Sequence, residues 1–172
     1  MPFVVAALAA LAAVYFFVMR ARNAAEMTTE LLDVADDMRT AARRFGFRRR
    51  HESHPVDSVN DPNLALTTVA VAYMELHGLP TEDTKSSLLK ALQRELNVDL
   101  KEAEELSVLG RWLMNECRGA APAIARASKR LHRLDNDVTP LMAALKDLSD
   151  TPLSEQQREA LHDIKRAFHI RG

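Results

Sequence analysis

The chain has 172 residues, which is room for about one domain. Its hydrophobic fraction is 47%, and with only 5 Gly and 7 Pro a loop-rich or β-rich fold is disfavoured, so an all-α fold is predicted. The formal net charge is −1, and acidic residues outnumber basic ones after residue 50, so nucleic-acid binding is not predicted. The single cysteine, Cys117, excludes an internal disulfide and favours a reducing compartment.

The first predicted element is an uncharged apolar segment from Pro2 to Met19. At about 1.5 Å per residue it reaches the lower end of the length that spans a hydrocarbon core. A cleaved secretory signal, the alternative, carries positive charge before its apolar stretch, whereas Arg20 and Arg22 follow this one. Because such charges stay on the cytoplasmic side, we predict a transmembrane anchor over residues 1–22, with residues 3–19 in the lipid bilayer. The anchor places the N-terminus outside a bacterial-type inner membrane and the following domain in the cytoplasm.

Residues 23–50 are predicted to form an amphipathic stalk helix with a basic end. Its apolar residues recur at alternating spacings of four and three, which is a heptad seam. This seam can pack on the chain's own domain, on another protein, or on a second copy as a homo-oligomer. The arginines at the end of the stalk are candidates for contact with an acidic partner. The candidate partner-binding residues are Met27, Leu31, Val34, Met38, Arg43, Arg44, Arg48, Arg49 and Arg50.

Residues 51–60 lack periodicity and are predicted to be a linker, and residues 61–172 are predicted to form a helical domain. Capping residues and first-turn prolines place six helices in this domain. We expect the first to end near His77, the third at Gly119 and the fourth near Leu134. The short connections between the helices predict one bundle. The predicted starts are Asp61–Pro62, Thr81, Asp99, Pro122, Thr139–Pro140 and Ser154.

Two stretches of this domain are alike: HGLPTEDTKSSLL from His77 to Leu89 and DTPLSEQQREAL from Asp150 to Leu161. Each places a turn, a hydroxyl cap, a glutamate and a first core leucine at matching offsets. This duplicated turn-and-helix resembles the tellurite-resistance TerB-like family, over roughly Asp61 to Ile170. The resemblance implies a compact helical fold and a divalent-metal site built from acidic residues in the two turns.

The chain departs from the TerB-like pattern at the positions that would hold the metal. His77 and Thr84 stand where the pattern has Asp and Glu, and Thr151 and Gln157 stand where it has Gly and Glu; Asp150 is retained. A hard cation needs several oxygen ligands, preferably carboxylates. We therefore predict a degenerate site that binds no metal, and no other cofactor.

The predicted function is that of an interaction module rather than an enzyme. The sequence has no Gly-rich phosphate loop, no His-Glu-x-x-His pair and no Cys-x-x-Cys motif. A membrane-anchored helical domain of this kind suits an accessory or adaptor subunit of an inner-membrane protein assembly, such as a respiratory one. The alternative is a metal or oxyanion (tellurite-type) stress-response protein, as the family resemblance implies.

The fourth predicted helix carries the candidate docking face of this module. Four basic residues at offsets of zero, three, four and seven project from one side of a helix. Like charges at these spacings repel by about 0.2–0.5 kcal/mol per pair, so we expect an acidic surface of a membrane-protein partner to stabilise them. The alternative is a solvated face, because exposed basic residues also serve solubility. The four residues are Arg126, Lys129, Arg130 and Arg133.

Overall fold

The computed structural model describes residues 54–149 and 152–170 of the chain. The predicted anchor and stalk lie outside these described residues. Within the two described ranges there are α-helices and short 3₁₀ turns but no strand, so the predicted all-α fold is confirmed for this part of the chain. Over the same residues, none of the helices combines the length and the apolar character needed to cross a bilayer.

Six α-helices and two 3₁₀ turns make up the described residues. One 3₁₀ turn, Pro55–Ser58, precedes the first helix, and the other, Glu75–His77, continues directly from its end. The helices are α1 (Pro62–Met74), α2 (Glu82–Leu96), α3 (Leu100–Glu116), α4 (Ala120–Leu134), α5 (Thr139–Asp147) and α6 (Glu155–Ala167).

Four helices begin where their capping residues predict. The carboxylates of Asp61 and Asp99 accept hydrogen bonds from backbone N–H groups at the starts of α1 and α3, at 2.8 and 2.7 Å. Thr81 caps α2 in the same way, and Ser154 opens α6 with a complete capping box. The fourth helix differs from its prediction, because it begins two residues before Pro122. Its N-cap, Gly119, has a φ of 134° and provides no side-chain cap.

Helix α1 occupies the centre of the bundle. All of its residues from Leu64 to Met74 are buried, and it packs most extensively against α3 and α4. A helix that is apolar on every side is stable only when neighbours cover it all round. The other helices are therefore arranged about α1, with α5 on α2 and α6 on α4.

Gly110 lies where α3 packs closely on α1. A Cβ atom at this position would lie 3.3 Å from the backbone of Thr67 and of Thr68 on α1. Gly110 is buried, and its missing side chain lets the two helix backbones approach. Helix α1 also packs on α4, whose outer face carries the candidate docking residues.

Candidate docking surface

The four basic residues predicted on the fourth helix line one groove of about 410 Å³ on the outer face of α4. Arg126, Lys129 and Arg133 are exposed, and Arg130 is partly buried. The other side of α4, which includes Ile124 and Leu131, is buried against the bundle. All four residues border this one groove, while their role in binding a partner stays a prediction.

Two of the four cations bind the chain's own residues ahead of α1. Arg130 donates from Nε to the backbone oxygen of Val59 at 2.5 Å and from Nη2 to Oδ1 of Asn60 at 2.9 Å. Arg126 forms an ion pair with Asp57, with 3.3 Å between Nη1 and Oδ2. The domain itself thus offsets part of the repulsion along α4. The sequence did not indicate these contacts, because the partners are about 70 residues apart along the chain.

The other two cations extend into solvent. Lys129 and Arg133 are exposed, and neither side chain makes a hydrogen bond or an ion pair with another residue of the described ranges. Arg133 lies in the last turn of α4, where a positive charge interacts favourably with the helix dipole. The positive charges of these two side chains are therefore not neutralised within the described residues, and they can attract a negatively charged surface at the groove.

Part of the predicted linker belongs to this surface. Val56 and Val59 are each only 1% exposed, and the 3₁₀ turn Pro55–Ser58 packs on α3 and α4. His54 adds a contact between its Nε2 and the backbone oxygen of Glu116, at 3.3 Å. A four-residue turn is too short to show periodicity, so no sequence signal revealed this packing.

Two positions that match metal ligands of the TerB-like pattern, Thr84 and Gln157, take part in helix capping; Asp150 and Thr151 lie outside the described residues. The N–H of Thr84 donates to Oγ1 of Thr81 at 3.2 Å. Gln157 is 2% exposed, and its side-chain oxygen accepts the N–H of Ser154 at 3.2 Å. Over residues 54–149 and 152–170, no three His, Cys, Asp or Glu side chains are grouped so that they could hold a metal ion.

The single thiol lies beside this surface, at the end of α3. Cys117 is partly buried, and loss of solvent around the sulfur raises the pKa of the thiol above its ordinary value. The nearby charge of Arg126 acts in the opposite direction but is the smaller effect. The thiol is therefore protonated at neutral pH, which makes it a poor nucleophile.

The remaining predicted partner-binding residues belong to the stalk and lie outside the described residues. They are Met27, Leu31, Val34, Met38, Arg43, Arg44, Arg48, Arg49 and Arg50.

Comparison of the chain with protein-family models, with curated proteins and with solved structures finds no match in any of the three. The resemblance to the TerB-like family accordingly stays a prediction from the sequence.

Proposed function

We propose that this chain is a membrane-anchored interaction protein that serves as an accessory or adaptor subunit of an inner-membrane protein assembly. In this proposal residues 3–19 hold it in the bilayer, and the groove on α4 docks on an acidic surface of the partner. The observation that carries the proposal is the pair Lys129 and Arg133. Both are exposed cations on one helix face, and neither has a charged partner among the described residues.

The fixed part of the groove supports this role. Arg126 and Arg130 are held by residues 57–60, so they form a positive border whose geometry is set before a partner arrives. Lys129 and Arg133 remain available for new contacts. Charge complementarity of this kind accelerates association and selects among partners more than it raises affinity. An adaptor subunit needs such selectivity because many membrane-proximal surfaces compete for it.

The test is recovery of partners with the tagged full-length protein in mild detergent, followed by mass spectrometry. We expect Lys129→Glu combined with Arg133→Glu to abolish recovery of the partners, because the reversed charges repel an acidic surface. The thermal melt should stay close to that of the wild type, since both residues are exposed. Added salt should weaken recovery by the wild type.

A matched control reverses two exposed cations outside both grooves, Lys90→Glu on α2 with Lys101→Glu on α3. This control has the same net charge as the α4 variant, so a general charge effect would appear in both. Retention of the α4-dependent partners by the control supports docking through the groove. Recovery of the same partners in the same amounts by the α4 variant contradicts it, and the stalk arginines then become the next candidates.

A further inference from the structure

A second groove runs between α5, the residues just before α6, and α6 itself. It consists of two adjoining depressions of about 550 and 460 Å³, which share Leu153 and Leu161 as common lining residues. Met142 extends the apolar floor at one end and Ile170, which is 42% exposed, extends it at the other. None of the residues that line this groove belongs to the α4 groove.

The rim of the second groove is basic. Lys146, Arg158 and Lys165 are exposed, and none of their side chains makes a hydrogen bond or an ion pair within the described part of the chain. Arg166 also lines the groove but is paired with Asp163 at 3.0 Å. Among the described residues that line the two depressions there is no Asp or Glu. An apolar floor is therefore bordered by cations whose charges are not neutralised there.

From this arrangement we propose that the second groove binds an amphipathic helix of a partner protein, with an apolar face flanked by acidic residues. Shallow apolar grooves that are open along their length bind helices through side chains at helical spacing. Helix α6 has 13 residues and is about 20 Å long, which accommodates three to four turns of a partner helix. The basic rim selects acidic flanks and repels a basic helix.

This inference rests on the proposed function only in treating the chain as an interaction protein, because it uses a different surface. Reversal of Lys129 and Arg133 should disable the α4 groove alone. Reversal of Arg158 and Lys165 should disable the α6 groove alone. The two variants are matched in charge, so the failure of one proposal is distinguishable from the failure of the other.

The experiment uses the full-length protein in nanodiscs of phosphatidylcholine and a fluorescent synthetic peptide of 18 residues. The peptide carries leucine at alternating spacings of three and four, with glutamate on both flanks. A sister peptide has lysine in place of every glutamate, and empty nanodiscs measure uptake by the lipid alone. We expect saturable binding of the acidic peptide, measured by fluorescence anisotropy, and no binding of the lysine peptide.

The variants locate the binding site. Arg158→Glu with Lys165→Glu should weaken binding of the acidic peptide by about tenfold or more, because two favourable contacts become repulsive. Leu153→Ser should weaken peptide binding through loss of apolar contact. Because Leu153 lies outside the helices, the helical circular dichroism of this variant should be retained. Lys129→Glu with Arg133→Glu should leave binding unchanged.

Several results would overturn the inference. The inference is wrong if the acidic peptide shows no saturable binding, or if the acidic and lysine peptides bind equally well. It is also wrong if both α6-groove variants bind the acidic peptide as tightly as the wild type does. Loss of peptide binding in the α4 variant alone would also overturn the inference, because it would show that the peptide binds in the α4 groove. Two further results would overturn it by identifying a different occupant of the groove. Displacement of the peptide by phosphatidylglycerol in the nanodisc would identify anionic lipid. Two protein copies per disc that separate on reversal of Arg158 and Lys165 would identify a second copy of the chain.

Discussion

Arg130 and Lys129 are neighbours on α4 with the same charge and different surroundings. The planar guanidinium of Arg130 donates from two of its nitrogens to Val59 and Asn60, a geometry that the single ammonium group of a lysine does not reproduce. The ammonium of Lys129 is exposed. We therefore expect Arg130 to contribute to stability and Lys129 to remain available for docking.

Replacing Arg130 with alanine should lower the free energy of unfolding by about 1–2 kcal/mol, because the oxygen of Val59 loses a charged donor in a partly buried site. Replacing Lys129 with alanine should change it by no more than about 0.5 kcal/mol. Thermal melts followed by circular dichroism measure both. Equal melting temperatures for the two variants would mean that the contact of Arg130 contributes nothing to stability.

Two buried hydroxyl groups in the core are expected to lower its stability. Thr67 and Ser128 are both 0% exposed, and neither Oγ1 of Thr67 nor Oγ of Ser128 has a hydrogen-bond partner among the described residues. Burial of an unpaired hydroxyl costs about 1–3 kcal/mol. We expect Thr67→Val and Ser128→Ala each to raise the free energy of unfolding by about 1 kcal/mol. A lower melting temperature in either variant would show that its hydroxyl makes a stabilising interaction.

At the scale of helix pairs, the contact of α1 with α3 depends on Gly110. Alanine would normally be the better helix former by about 1 kcal/mol, but its Cβ would press on the backbone of Thr67 and Thr68 at 3.3 Å. We expect Gly110→Ala to lower the free energy of unfolding by about 1–3 kcal/mol, because backbone atoms cannot rotate away. Glu104→Ala, on the exposed side of the same helix, is the control and should be nearly neutral. A stabilised Gly110→Ala variant would contradict the close approach.

The exposed carboxyl group of Asp137 lies at the start of α5. Hydrogen bonds from the hydroxyl and from the N–H of Thr139 lower the pKa of this exposed carboxyl group below its ordinary value. A lowered pKa in the folded state stabilises the protein above the unfolded pKa of about 3.9. That stabilisation is lost as the pH falls through the folded value. We therefore expect Asp137→Asn to reduce the acid dependence of the melting temperature below about pH 4. If the wild type and the variant show the same dependence of melting temperature on pH, the hydrogen bonds of Asp137 do not stabilise the start of α5.

Helix starts were predictable where the signal is local. Asp61, Thr81, Asp99 and Ser154 cap through N–H groups two or three residues ahead, so a short window of sequence contains all the information. The start of α4 has no side-chain cap, and Pro122 predicts this start two residues late. The contacts of its basic face with residues 57–60 depend on the tertiary fold, which spacing along a single helix does not encode.

At the scale of the whole molecule, the described helices share one core around α1, so they should unfold together. We expect residues 50–172 to remain soluble without detergent, to give a helical circular dichroism spectrum and to melt in one cooperative transition. The predicted anchor should then be needed for membrane localisation alone. A fusion of residues 1–22 to a soluble reporter serves as the matching experiment and should be recovered with membranes.

Two outcomes would contradict this division of the chain. Aggregation of residues 50–172, or a coil-like spectrum, would mean that the stalk supplies part of the core. A reporter that remains soluble when fused to residues 1–22 would remove the membrane anchor from the proposed function.

The burial of α1 has a consequence during translation. This helix leaves the ribosome before any of the helices that cover it, and α4 is complete only about 60 residues later, which at about 5–20 residues per second takes roughly 3–12 s. For that interval the nascent chain exposes one of its most apolar segments. Ribosome-associated chaperones are therefore expected to bind α1 first, and slowing translation between α1 and α4 should increase aggregation of the newly made protein.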